Sequence, residues 1–103
     1  MYSLVLVTVK DKREAHKIAG ALIRNKLAAC VNILGKVESI FWWQGKVDSV
    51  SEALLIIKSK KIKIPKIIKL VKSLHSYDLP EIISLPITSG FKPYLSWIND
   101  SIR

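Results

Sequence analysis

Apolar residues along this chain switch between the two-residue period of strands and the 3.6-residue period of helices, in the order strand, helix, strand, strand, helix, strand. That order leaves few architectures open. Tyr2 to Val9 is apolar and β-branched, and it runs into Asp11 with Glu14 three positions later, the spacing of a capping box. Ala15, Ile18, Ala19, Leu22 and Ile23 then follow the helical template, which predicts a helix ending near Asn25. Leu27 to Ile33 reads as a strand, Gly35 permits a bend or bulge, and Val37 to Trp43 continues extended. Gln44 and Gly45 supply a tight turn, and Lys46 to Lys58 returns as a third strand. The run Ala53 to Ile57 is too continuously apolar for an edge position, so this strand is expected to be central.

A second helix is predicted from about Ile62 to His75, with Pro65 placed in its first turn, where no amide hydrogen bond is lost. Pro80 to Ile87 gives a fourth strand with Pro86 at its end or on an edge, and Gly90 breaks it. Pro93 opens a short last helix with Leu95, Ile98 and Ile102 on one stripe. The expected fold is α+β, a ferredoxin-like split βαβ with an antiparallel sheet and a C-terminal helix, and residues 1–103 are expected to form one domain.

Composition narrows the environment. Hydrophobic residues make up 50% of the chain, far from the composition of disorder, yet no apolar run approaches the ~20 residues of a membrane span. Neither a transmembrane segment nor a membrane partner is expected. The first strand lacks the basic flank and cleavage site of a signal peptide. Cys30 is the single cysteine, which excludes an internal disulfide framework and paired-cysteine metal motifs and points to a cytoplasmic compartment. The net charge of +9 raises the question of nucleic acid. Seven lysines lie between Lys58 and Lys72 with no acid among them, while the remainder of the chain is nearly balanced. Lys63, Lys66, Lys69 and Lys72 recur opposite Ile64, Ile67, Ile68 and Val71, the pattern of a solvated helix face, and this reading is preferred to a polyanion-binding one.

The hairpin is out of proportion. Arms of ~14 residues span ~45 Å, against a radius of gyration of ~13 Å for a compact chain of this length. Its tip, Phe41-Trp42-Trp43, would project beyond the sheet, and a neighbouring subunit is expected to cover it.

No complete catalytic set is legible. Cys30, in the run Ala28-Ala29-Cys30-Val31, reads as the middle of a buried strand, His16 as exposed, and His75 either as a polar helix end or as a functional group. Asp78 and Glu81 flank Pro80 in one turn without defining an acid/base pair. Residues 9–14 lack the glycine-rich anion cradle of a phosphatase of this fold, so an acylphosphatase-like hydrolase rests on fold analogy alone.

Five segments in order, Lys26-Leu27-Ala28-Ala29-Cys30-Val31-Asn32, Phe41-Trp42-Trp43-Gln44-Gly45-Lys46-Val47, Leu55-Ile56-Ile57-Lys58-Ser59, His75-Ser76-Tyr77-Asp78-Leu79-Pro80-Glu81 and Tyr94-Leu95-Ser96-Trp97-Ile98, resemble the CutA family of divalent-cation tolerance proteins. The resemblance implies a homotrimer of PII-like architecture, no reaction, and a role in tolerance to copper and other divalent ions. It implies inter-subunit ligand clefts lined by Cys30, Trp43, Lys58, His75 and Tyr77, with His75 and Cys30 as the candidate metal donors. No cofactor is required, and copper or another divalent cation is the candidate ligand. Some members carry further cysteine or histidine where this chain has Val7 and Leu74, so a copper site using those groups would lack them here. A structural or partner-binding trimer without a working metal site is the alternative. Lys58 ends a central strand, His75 ends a helix and Tyr77 starts the next turn, so the three are expected to converge on one pocket. The structural alternative for Lys58 is a pairing with Glu81 or Glu52.

Overall fold

The computed structural model describes residues 1–103. The elements are β1 (Tyr2–Val9), α1 (Lys12–Arg24), β2 (Cys30–Trp43), β3 (Lys46–Lys60), a 3-10 turn over Lys61–Lys63, α2 (Ile64–Leu74), β4 (Ile82–Pro86) and α3 (Lys92–Ser101). The four strands form one sheet in the order β2-β3-β1-β4, antiparallel throughout, which is the split βαβ arrangement with β3 central.

Local sequence explains the element ends. Asp11 accepts from the Glu14 backbone N–H at 2.9 Å and starts α1, whose last turn closes on Asn25. Pro65 falls in the first turn of α2, and His75 caps its end. Two expected strands are shorter than the sequence suggests. Leu27 and Ala28 are buried in the core and close the end of α1, with the Leu27 N–H donating to Leu22 O, so β2 begins only at Cys30. Pro80 and Glu81 stay outside β4 because the ladder to β1 begins at Val7↔Ile82.

One face of the sheet is covered. Val5, Val7 and Val9 alternate inward on β1, as do Ala53, Leu55 and Ile57 on β3, against Ala15, Ile18 and Leu22 of α1 and Ile67 and Val71 of α2. Ile68, expected in this stripe, is instead exposed, and Leu70 and Leu74 pack on the core. Ser59, fully buried, donates to Leu27 O at 2.6 Å, so its hydroxyl is not left without a partner.

The other face is left open by α1 and α2, and α3 meets it only at one end, where Lys60 donates to Asn99 Oδ1 at 2.9 Å. In register across it lie Leu34 and Leu54, then Ile56, Leu6 and Ile83, then Leu4 and Leu85. Leu34, Ile83 and Leu85 are exposed. Beyond the end of β1 the hairpin continues alone to the Gln44–Gly45 turn, whose φ values of 51° and 78° give the double left-handed turn that suits the strand twist. The molecule is accordingly 44 Å long and only 26 and 23 Å across. Between Leu34 and Val37 the register shifts, with one extra residue on β2. Such a bulge moves every following side chain of the strand to the opposite face. Phe41 and Trp43 are thereby placed on the side opposite α1 and α2, with Val50 and Glu52.

Leu55 touches both helices' side of the core and has no exposed surface. Leu55→Ala is expected to cost about 2–5 kcal/mol, read as a lowered denaturation midpoint at unchanged slope.

Candidate functional site

Two polar clusters sit on the face that α1 and α2 leave open and at its margins. The first gathers where α2 ends and β1 ends. The His75 side chain is fully buried, its Nε2 2.8 Å from Thr8 O. Its Nδ1 accepts from the Tyr77 N–H at 3.0 Å, which puts the ring proton on Nε2, donating to that carbonyl. Glu14 Oε2 stands 3.5 Å from the same Nδ1 and accepts from the Ser76 N–H at 3.4 Å. The carboxylate of the capping-box residue thus serves a tertiary contact, and the helix start keeps only the Asp11 half of the box. The Tyr77 ring packs against His75 with centroids 4.9 Å apart, and its hydroxyl donates to Glu52 Oε2 at 2.9 Å. Burial, and then the hydrogen bond to the Glu52 carboxylate, push the Tyr77 phenol up to about 12.

In front of this cluster a groove of about 750 Å³ runs under the hairpin, walled by Phe41, Trp43 and Val50 on the strands and by Tyr77, Leu79 and Glu81 on the turn after α2. Thr8 donates toward Glu81 Oε1 at 3.5 Å on its floor.

The second cluster lies at the far end of the same face. Lys58 pairs across the sheet with Cys30 and Leu4. Its ammonium donates to Asn32 Oδ1 and lies 3.9 Å from Cys30 Sγ. Tyr94 of α3 stands beside the thiol, and its phenol is raised by burial and by Cys30. Cys30 is therefore a half-buried residue at a strand start, not the mid-strand core residue expected from its neighbours. The expected pocket shared by Lys58, His75 and Tyr77 does not form within the chain. Glu52, the partner of Tyr77, and Lys58 are six residues apart on β3, ~20 Å at ~3.3 Å per residue. Neither Glu52 nor Glu81 pairs with Lys58. Of the five expected cleft residues, Trp43 and Tyr77 line the groove with His75 behind them, whereas Cys30 and Lys58 stand at the other end.

His16 is exposed on α1, as expected. Nowhere in the chain do three histidine, cysteine, aspartate or glutamate side chains gather into a metal-binding group. Both His75 nitrogens are engaged, so the expected donor pair of His75 and Cys30 does not fit copper or zinc within one chain. Glu14 and Glu52 were not recognised as site residues from sequence. The only local trace was the spacing from Asp11 to Glu14, which signals a cap.

The sequence model of the CutA1 divalent ion tolerance protein family matches residues 3–101. This chain belongs to the CutA1 family. It is similar to the chloroplastic protein CutA 1 of Oryza sativa, 46% identical over 97% of this chain and 56% of the relative, and to the divalent-cation tolerance protein CutA of Thermus thermophilus, 44% identical over 98% of each. The chain thus spans just over half the length of the plant relative and nearly all of the bacterial one. Among solved structures, CutA from Archaeoglobus fulgidus superposes with a TM-score of 0.97 at 38% identity over the whole of both chains. CutA1 membership accounts for the long hairpin and the split βαβ core together.

The phenol of Tyr77 yields a pH prediction. A group raised from 10.0 to about 12 by folding favours the folded state fully below pH 10, and that contribution is lost as pH rises from 10 to about 12. Ultraviolet titration of the folded protein should show a tyrosine step near pH 12 that Tyr77→Phe removes. Its persistence in that variant would contradict the assignment. His75→Ala, which leaves Thr8 O without its donor, is expected to cost about 1–3 kcal/mol.

Proposed function

We propose that this chain acts in tolerance to divalent cations as a homotrimer that binds small ligands or metal between its subunits. The observation that supports this most directly is the sheet face that α1 and α2 leave open. Leu34, Ile83 and Leu85 are exposed there together with Trp43 and Val50 of the hairpin, while Ile40, Trp42 and Val47 are exposed on the opposite side of the hairpin. Exposed apolar surface on this scale supports an interface with neighbouring subunits. Family membership supports the choice of function, since the relatives from Thermus and Archaeoglobus carry divalent-cation tolerance in their names.

The proposed role is binding and not catalysis. Cys30 is flanked by an ammonium and a phenol, with no imidazole to act as its base, and the His75 ring is committed to backbone groups. The commitment of both His75 nitrogens favours a structural role for that residue. Any copper or zinc ion is then held between subunits, with Cys30 the soft donor this chain offers and the remaining donors supplied by a neighbour.

Light scattering at micromolar concentration should give three times the 11.6 kDa chain mass. Ile83→Asp and Trp43→Ala should both speed subunit exchange, because a carboxylate opposes burial and the indole is lost from the interface. A monomer in the parent protein would defeat the proposal. Added copper should raise the melting temperature of the parent, Cys30→Ser should abolish that rise, and His75→Ala should lower the melting temperature while keeping it.

A further inference from the structure

The excess charge of this chain is sorted in space in a way its order along the sequence conceals. α1 and α2 lie side by side on one face of the sheet and in contact, so their outward surfaces form a single layer. On α1, Lys12, Arg13, Lys17 and Arg24 are exposed. On the 3-10 turn and α2, Lys61, Lys66, Lys69 and Lys72 are exposed. In these segments Glu14 is the only acid, and it is buried against His75 and Ser76. The helical layer therefore presents eight exposed cations, and the one exposed carboxylate at its margin is Asp11, the cap of α1. The acids Glu38, Asp48, Glu52, Asp78 and Glu81 belong to the hairpin and the turn before β4, and Asp100 to α3.

Three isoleucines interrupt this basic surface. Ile62 is 79% exposed between Lys61 and Lys63, and Ile23 and Ile68 are 42% and 43% exposed on α1 and α2. They put protruding aliphatic surface among the cations. No phenylalanine, tyrosine or tryptophan occurs on either helix or on the 3-10 turn, and His16 is the one exposed ring, so the layer offers little platform for stacking bases. Lysines around protruding aliphatic side chains are instead the chemistry of an interface with anionic lipid, where ammonium groups meet headgroups and short apolar chains enter the acyl boundary.

We propose that the outward face of the α1–α2 layer docks peripherally on a bilayer bearing anionic headgroups, with Ile62 as its deepest apolar contact. No helix of the chain is long and apolar enough to cross a membrane, and peripheral docking needs none. This revises the reading of the α2 lysines as a merely solvated face, because the fold adds the cations of α1 to them.

The test is co-sedimentation of the full chain with vesicles of phosphatidylcholine alone or with about one third phosphatidylserine. Binding is expected only with phosphatidylserine, and it should fall as salt is raised toward 0.5 M, where screening is short-ranged. Each lysine lost should weaken binding about fivefold, so Lys66→Gln with Lys69→Gln and Lys72→Gln should weaken it on the order of a hundredfold. Arg13→Gln with Lys17→Gln, on the other helix, should also weaken it, and Ile62→Ser should weaken vesicle binding while sparing retention on heparin. All substituted residues are exposed, and unchanged circular dichroism melts confirm folding. The proposal is overturned by absence of binding to phosphatidylserine vesicles in low salt, or by full binding in the α1 variant. It is equally overturned if duplex DNA binds more tightly than vesicles and Ile62→Ser leaves vesicle binding unchanged, which would make the layer a nucleic-acid face.

Discussion

Strand β3 is the constraint on which the rest of the molecule depends. It has 15 residues, is paired with β2 along nearly its whole length, and is paired with the 8-residue β1 only over Ala53–Lys60. The doubly paired half supplies the inward residues that α1 and α2 cover. The singly paired half extends beyond β1 and beyond the reach of those helices, with only β2 beside it in the sheet. A core and a projecting arm thus arise from one strand, and the arm carries two of the three tryptophans of the chain, both exposed.

The cluster at the end of β1 joins the two halves. His75 ties the end of α2 to the Thr8 carbonyl, Glu14 meets the loop from α1, and Tyr77 reaches Glu52 near the start of the projecting arm. Every group in it has a partner, and no buried side-chain nitrogen or oxygen is left without one. A satisfied buried network of this kind fixes one arrangement of the elements that contribute to it, because any other would strand a carboxylate or imidazole. That is the physical basis for treating His75 as an organiser of the groove and not as a free donor.

The bulge in β2 has a comparable influence. Without its extra residue, Phe41 and Trp43 would fall on the side opposite Tyr77, and the groove would lose its aromatic wall. Gly35 marked the place in the sequence, but the consequence, a change of face for the whole hairpin tip, follows only from the register with β3.

Sequence by itself determined the element order, the Asp11 cap, the Pro65 entry to α2, the Gln44–Gly45 turn, the central place of β3 and the excess length of the hairpin. These depend on periodicity and backbone preference, which act over a few residues. The resemblance of five segments to one family was legible for the same reason, since each segment is short and contiguous. Tertiary structure alone decided that Lys58 stands about 20 Å from the Tyr77 partner Glu52, that Glu14 turns to His75 instead of its own helix, and that the cations of α1 and α2 share one surface. Each of those facts is set by strand register or helix placement between residues as many as 62 apart in the chain. Local pattern carries no information about such distances, because both ends of the contact would look the same in any fold that kept their elements.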